Sequence, residues 1–332
     1  LSVVVIGKNE ERYISSALRS AQVAIAGFDD AEIVYVDSAS TDRSVEIALA
    51  LGVRVISLRP EWELSPSAGR YVGFHHTLGE LIMFLDADTT LEPDWLWKAV
   101  RWFDCPEIGA VAGFLRDFDD QGRLLPHVGE KSPTAREIKT LRGSGLYRRS
   151  AMEKVGTFNP YLVTNEEAEL ALRLRQGGWK LMHLPYPMGR HLRGVIGLKA
   201  ELRSWRLGRA YGCGMTLRYA CHEGTWPRFC FEYLRSTMLF MLACLLLTPG
   251  LFLFLAGRVE TAKLFLWPIL LGSVAIAIKK RSLLGPLDYV VSHGLTLFSL
   301  IAGALKTRIR DPRNYLLDAV EIKSNYRTSN YE

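Results

Sequence analysis

An apolar run that closes on two carboxylates one residue apart, Phe84-Leu85-Asp86-Ala87-Asp88, is the sharpest chemical signal in this sequence. Hard divalent cations take oxygen ligands, and such a pair at the end of a strand can hold one while the cation engages a diphosphate. The same residues also suit a plain acidic turn. Other clusters carry a similar double reading. Asn165-Glu166-Glu167-Ala168-Glu169 and Glu10-Glu11 place carboxylates at helix starts, where the macrodipole favours them with or without a chemical task. Asp37 opens Asp-Ser-Ala-Ser-Thr-Asp, which reads as a cap for the helix that follows; with Ser40 or Thr41 as the cap, Asp37 is left free. Gly143-Ser144-Gly145 is either a tight turn or a place where a ligand approaches bare backbone.

Short β-branched runs alternate with helical stretches around these residues. Strands are expected over Ser2–Ile6, Glu32–Val36, Val53–Ser57 and Leu81–Leu85, and helices over Tyr13–Ala24 and Ser44–Leu51. That alternation predicts an α/β fold of βαβ units with a mainly parallel central sheet. Ligands of open α/β sheets bind beyond the carboxyl ends of the strands, so Gly7, Asp37 and Asp86 are expected to face one crevice. From Gly109 to Met182 the pattern is less regular. A strand is expected near Ala110–Arg116, a polar loop over Asp117–Lys131 and a partly buried helix over Glu166–Gln176.

After Trp226 the character changes. Ser236–Gly257 holds 22 residues without a charge, enough to cross hydrocarbon. Leu264–Ile278 and Tyr289–Leu305 are shorter apolar runs that span only with snorkelling flanks, or lie partly in the interface. Three spans starting inside place Lys279-Lys280-Arg281 inside but the basic stretch Lys306–Arg313 outside, against the positive-inside tendency; one run is therefore a candidate for re-entry.

The formal charge of +6 comes from Lys and Arg clustered around the apolar segments, not from a basic stripe interleaved with aromatics, which points away from nucleic acid and toward a membrane surface. Five cysteines, Cys105, Cys213, Cys221, Cys230 and Cys244, lack the paired spacing of zinc or redox motifs and read as structural thiols in a reducing compartment. No basic and apolar leader precedes the opening strand, so the N-terminal domain is expected in the cytoplasm.

Several ordered segments together resemble family 2 glycosyltransferases of the GT-A fold. They are VVVIGKNEERYISSALRS, VYVDSASTDRS, AGRYVGF, LIMFLDADTTLEPDWL, RGSGLYRRSAMEKVGTF and NEEAELALRLRQGGWKL, covering Leu1 to Arg193 in the family's order. The resemblance implies inverting transfer of a sugar from a UDP- or GDP-linked donor, with Mg2+ or Mn2+, to a lipid-linked or glycan acceptor at the cytoplasmic face of the cell membrane. By the same resemblance Gly7, Asn9 and Glu10 wall the base pocket, Asp37 bonds the base or ribose, and the planar fork of Arg70 approaches the diphosphate. Lys8 stands where the family often has an aromatic residue. Asp86, also on the donor side, and Asp88 hold the cation, and His191, six residues after Pro185, completes its coordination. Glu167 takes the place of the general base, a Glu where the family usually has Asp, while Glu166 and Gly143-Ser144-Gly145 line the acceptor side.

The resulting organisation is a GT-A nucleotide-sugar-binding domain over 1–225, membrane-associated helices over 226–310 and a C-terminal tail over 311–332. Two alternatives are weighed against it. A sugar-phosphate nucleotidyltransferase needs a glycine-rich phosphate loop after the first strand, which Gly7-Lys8-Asn9-Glu10 is not. A catalytically inactive membrane scaffold predicts a damaged carboxylate set, whereas Asp86, Asp88 and Glu167 are all present.

Overall fold

The computed structural model describes residues 1–119, 121–125, 134–141, 143–192, 209–280, 285–318 and 320–322. Arg142, the rest of the expected 117–131 loop and residues 193–208 lie outside the described residues. The chain forms two compact units, Leu1–Leu207 with Arg310–Glu332, and Gly208–Ile309.

In the first unit the elements run β1 (Ser2–Gly7), α1 (Ile14–Ile25), β2 (Glu32–Asp37), α2 (Ser44–Ala50), β3 (Arg54–Ser57), α3 (Pro66–His75), β4 (Leu81–Asp86), β5 (Thr89–Leu91), α4 (Trp95–Val100), β6 (Ile108–Asp117), β7 (Arg136–Glu137), β8 (Gly145–Arg148), α5 (Arg149–Val155), α6 (Glu166–Gln176), β9 (Lys180–His191) and, far along the chain, β10 (Val320–Ile322). Strands alternate their side chains between two faces, and both faces of β1 are covered. Val3 and Val5 join Ile14, Leu18 and Ala21 of α1 in one apolar cluster. Val4 and Ile6 meet α3, which lies so close that a Cβ on Gly73 would stand 2.3 Å from Val4 Cγ1 and one on Gly69 3.3 Å from Ile6 Cγ2. Burial on both faces is why β1 reads as an unbroken apolar run.

The sheet order is β10-β3-β2-β1-β4-β8-β6-β9-β5, with β7 beside β9. β3, β2, β1 and β4 are mutually parallel, whereas β8 runs antiparallel to both β4 and β6. The sheet is thus mixed around a parallel centre. Its register aligns the carboxyl ends: Gly7 lies opposite Asp37, Asp37 opposite Ser57, and Ile6 opposite Asp86. β10 pairs antiparallel with β3, so part of what reads as a tail is an edge strand of this sheet.

The second unit is helical. Gly212–His222 and Trp226–Tyr233 precede three long helices, Arg235–Leu255, Val259–Lys280 and Gly285–Lys306. Each of these three is long and apolar enough to cross a membrane. The second extends beyond the apolar run expected from the sequence and takes in Glu260 and Lys263, which form an i,i+3 pair on its first turns. Charged ends of this kind can reach an interface along their own stems. All five cysteines are free thiols.

Candidate active site

Two connections hold α3 against the loop that leads to α6. Ser65 caps α3, its hydroxyl accepting from the Ala68 amide at 3.0 Å, and Pro66 occupies the first turn, where its missing N–H costs nothing. The same hydroxyl donates to the Pro160 carbonyl at 3.0 Å and that of Ser67 to the Asn159 carbonyl at 2.6 Å. α6 starts abruptly from Asn165, whose φ of +60° is left-handed. It is fixed by Arg173, which grips Glu169 with two bonds of 2.6 Å and donates to the carbonyls of Val155, Gly156 and Thr157. Arg173 and Glu169 of the acidic block are therefore structural, and they aim the start of α6 at α3.

Arg70 stands where these elements meet the end of β4. It is 2 % exposed, with Nη1 donating to Glu166 Oε1 at 2.7 Å and Nη2 to Asp86 Oδ1 at 2.8 Å, and Glu167 Oε1 lies 3.4 Å from Nη1. The Phe158 ring lies 5.5 Å from the guanidinium carbon, within cation–π range. Burial works against the charge of Arg70, but Asp86, Glu167 and Glu166 outweigh it and raise the guanidinium pKa. Sequence reasoning directs this arginine toward a phosphate. In the structure it is the buried counter-ion of three carboxylates.

The two adjacent glutamates are not equivalent. Glu166 is fixed by its bond to Arg70 with 6 % of its side chain exposed, whereas 18 % of the Glu167 side chain reaches solvent. Burial, then the charge of Glu166, pushes the Glu167 carboxyl up to about 7 against the opposing pull of Arg70. Gly143, with φ +59°, covers this cluster: a Cβ there would stand 2.9 Å from Asp86 Oδ2 and 3.9 Å from Glu167 Oε1. The glycine keeps open a space that any side chain would fill. Next to it, Ser144 is buried with no hydrogen-bond partner for its hydroxyl among the described residues, and Gly145 begins β8.

Strand pairing assembles a second group. In the register of β9, His191 lies opposite Asp117 of β6 and Thr89 of β5, which follows Asp88 directly. His191 Nε2 is 3.5 Å from Asp88 Oδ2 and Nδ1 is 2.9 Å from Asp117 Oδ1. The bond to Asp88 holds the imidazole pKa up to about 9, opposed by burial and helped by Asp117. No three His, Cys, Asp or Glu side chains converge on one point among the described residues. The donor set nonetheless fits a divalent cation that draws its other ligands from a diphosphate and water. A carboxylate and an imidazole side by side are donors such a cation accepts. Asp117 supplies the carboxylate that metal-bound histidines characteristically bond through their other nitrogen. Sequence reasoning missed Asp117, because only the β6–β9 register brings it to His191.

At the ends of β1 and β2 the expected base-pocket residues build a turn. Asn9, at φ +57°, accepts from the Thr41 amide at 2.8 Å through Oδ1, and its own amide donates to Ser40 Oγ at 2.8 Å. The Glu10 amide donates to Ser44 Oγ at 2.8 Å. Asp37 is 1 % exposed and accepts from the Tyr35 hydroxyl at 3.1 Å, the Ser40 amide at 2.9 Å and the Ser57 hydroxyl at 3.2 Å. The expectation that Ser40 or Thr41 caps α2 and leaves Asp37 free is corrected: the acceptor at the helix start is Asp42, which takes bonds from the Ser44 amide and hydroxyl at 3.0 and 2.5 Å. Gly7 sits under Ala87, where a Cβ would approach Ala87 Cβ to 2.7 Å, and Lys8 is exposed at this edge.

The family model for Glycosyl transferase family 2 matches residues 2–163, which hold Arg70, both aspartates of the β4 end and Gly143. The chain carries a family 2 glycosyltransferase domain. Among curated relatives it is 29% identical over 176 residues to an uncharacterized glycosyltransferase of Nostoc sp., covering 48% of this chain and 54% of the relative. It is 27% identical over 204 residues to the beta-monoglucosyldiacylglycerol synthase of Nostoc sp., covering 56% and 43%. The chain thus spans about half the length of these relatives. Among solved structures, the mannosyltransferase PcManGT from Pyrobaculum calidifontis, in complex with GDP-Man and Mn2+, superimposes with a TM-score of 0.56 at 20% identity over 92% of this chain and 86% of that one. TarS of S. aureus in complex with UDP-GlcNAc gives 0.51 at 19% over 70% and 72%. At these identities the likeness establishes the fold, and the family 2 domain of this chain is GT-A.

Proposed function

We propose that this family 2 glycosyltransferase performs an inverting transfer from a UDP- or GDP-sugar to a lipid-linked or glycan acceptor at the cytoplasmic face of the cell membrane, with Glu167 as general base. The observation that carries the assignment is the asymmetry of the two glutamates. A base must be ionisable near neutral pH and accessible to the acceptor hydroxyl, and Glu167 has the raised pKa and the exposed edge, while Glu166 is committed to Arg70. The acceptor oxygen attacks the anomeric carbon, its proton passes to Glu167, and the bond from that carbon to the diphosphate oxygen breaks, releasing the nucleoside diphosphate. Arg70 holds Asp86, Glu166 and Glu167 in place from beneath, and Gly143 leaves room for the incoming group.

Asp88 and His191 would hold Mg2+ or Mn2+, with Asp117 orienting the imidazole. A bound cation there neutralises charge on the departing diphosphate. The three apolar helices favour membrane association and a lipid-linked acceptor. Relatives whose names specify a diacylglycerol product, GDP-Man or UDP-GlcNAc make those donors and glycerolipid acceptors the first to try. The test is to incubate the membrane-bound enzyme with radiolabelled nucleotide sugars, each with extracted lipids or with soluble glycans, with and without excess chelator. A chelator-sensitive product in the lipid phase is expected. Transfer only to soluble glycans would remove the lipid acceptor, and undiminished transfer in chelator would remove the cation.

A further inference from the structure

The chain leaves the first unit ahead of Gly208 and re-enters it at Arg310. The re-entry is a folded connection. β10 pairs with β3, Val320 opposite Ser57 and Ile322 opposite Val55. Tyr315 is 6 % exposed among the rings of Trp62, Tyr71 and Tyr161, and its hydroxyl donates to the Glu63 carbonyl at 3.0 Å. Asp318 lies 3.2 Å from Arg59. Strands of one open hydrogen-bonded sheet cannot lie on opposite sides of a bilayer. Whatever joins the two ends must therefore cross an even number of times, yet it contains three helices that are each long and apolar enough to cross.

The three helices differ in kind. Arg235–Leu255 and Val259–Lys280 form a hairpin closed over Ala256–Arg258, where Gly257, at φ +75°, donates to the Phe254 carbonyl at 3.0 Å and Arg258 to that of Leu253 at 2.9 Å. The pair is close: a Cβ on Gly250 would stand 2.9 Å from both Phe265 Cβ and Leu266 Cδ2. At about 1.5 Å per residue each arm is roughly 30 Å long, the thickness of the hydrocarbon core. The tip carries Arg258, Glu260 and Lys263, and the open end carries Arg235, Lys279 and Lys280, so positive charge is concentrated at the open end.

Gly285–Lys306 has, within Tyr289–Lys306, the lowest mean hydropathy of the three candidate spans and is two-faced. Ser292, Thr296, Ser299 and Gly303 recur at i, i+4, i+7 and i+11 along one stripe. Ser299 is 4 % exposed, and Gly303 lies against helix Gly212–His222, where a Cβ would meet the Tyr211 carbonyl oxygen at 2.2 Å. Away from that stripe Leu287, Val291, Phe298, Ile301 and Leu305 are exposed. A stripe of small residues packed on another helix leaves the opposite, apolar face for acyl chains.

We propose that the segment crosses the bilayer twice, as the hairpin Arg235–Leu255 and Val259–Lys280, and that Gly285–Lys306 lies in the interface of the leaflet on the catalytic side with its Leu287–Leu305 stripe toward the acyl chains. The proposal rests on the membrane association inferred above. It places Lys306–Arg313 on the same side as Lys279-Lys280-Arg281 and so removes the conflict that three spans create with the positive-inside tendency.

Single cysteines at Glu46, Glu260 and Arg308, all exposed, in a chain whose five native cysteines are replaced by serine, are to be labelled with a membrane-impermeant maleimide in sealed vesicles of each orientation. Glu46→Cys and Arg308→Cys are expected to react from one face and Glu260→Cys from the other. Arg308→Cys reacting with Glu260→Cys, or all three reacting from one face while the protein resists alkaline carbonate, would overturn the two-span arrangement. Should the serine-substituted chain fail to accumulate, short epitopes inserted at the same three positions of the native chain and read by protease protection decide between the same outcomes. Release of the protein by carbonate is a separate result that sinks the membrane reading and this proposal together.

Discussion

At the end of β2, Asp37 accepts hydrogen bonds from a tyrosine hydroxyl, a backbone amide and a serine hydroxyl; at the end of β4, Asp86 shares one buried arginine with Glu166 and Glu167. Both aspartates finish parallel strands of one sheet. The first is satisfied by neutral donors and holds a turn. The second belongs to a group of three negative charges around one positive charge, which leaves a net negative site with a carboxyl titrating near neutrality. We propose that the shared counter-ion leaves Asp86 available for chemistry, whereas three neutral donors hold Asp37 chiefly in a turn.

The largest effect is expected from removing the shared counter-ion. Arg70→Met leaves three carboxylates together without compensation, and breaking a buried ion pair in this way costs about 3–5 kcal/mol. Thermal unfolding should fall steeply and transfer should be lost; a variant of wild-type stability would mean that the carboxylates do not depend on Arg70. Glu167→Gln comes next. It should lower the transfer rate by a factor of about 10²–10⁴ with donor binding unchanged by calorimetry. If Glu166→Gln falls equally far, the two glutamates share the proton.

The charge of Glu166 contributes to raising the Glu167 carboxyl from its ordinary 4.5 to about 7, which sets two opposite pH dependences. The native state binds more protons than the unfolded chain between these values, so the stability contribution is complete below about 4.5 and is lost as pH rises through about 7. Transfer needs the ionised base and should rise over the same interval. In Glu166→Gln the limb of the rate profile should move to lower pH, and an unmoved limb would assign it to another group.

Asp117→Asn should weaken cation affinity by about 10–100-fold, the usual effect of losing the partner of a metal-bound histidine, as read by metal titration. The smallest effect is expected at the satisfied aspartate. Asp37→Asn should cost about 1–2 kcal/mol of stability through its hydrogen bonds and alter the donor KM little. A tenfold rise in donor KM would show that Asp37 reaches the donor and would erase the contrast with Asp86.

The parallel centre of the sheet was legible because β1, β2, β3 and β4 are continuous β-branched or apolar runs buried on both faces, and the bounds of the Glu166–Gln176 helix agree with the structure. β9 was not, since Lys180–His191 contains Pro185 and Pro187, which donate no ladder hydrogen bond, and it gains strand form from partners on β6, β5 and β7. Three residues of β10 carry too little pattern to stand out from a tail. At the site, the sequence placed Asp86 in one crevice with Gly7 and Asp37, and the family resemblance set Arg70 toward the diphosphate, Glu167 as the base and Glu166 toward the acceptor, but neither gave the pairing of Arg70 with Asp86 and Glu166. That depends on a contact between α3 and α6 across 96 residues of chain, which no local spacing encodes.

The pairing of β10 with β3 also bears on how the protein is made. β3 is synthesised about 260 residues before the strand that covers its outer edge, an interval of roughly 13–50 s at ~5–20 residues/s. During that time the nascent sheet presents a bare row of amides and carbonyls, the feature that templates unwanted strand addition. The apolar helices emerge from the ribosome within the same interval. Insertion of the helices should therefore precede closure of the sheet, and a chain that stalls before Arg310 should be prone to aggregate even though every element from β1 through β9 has been translated.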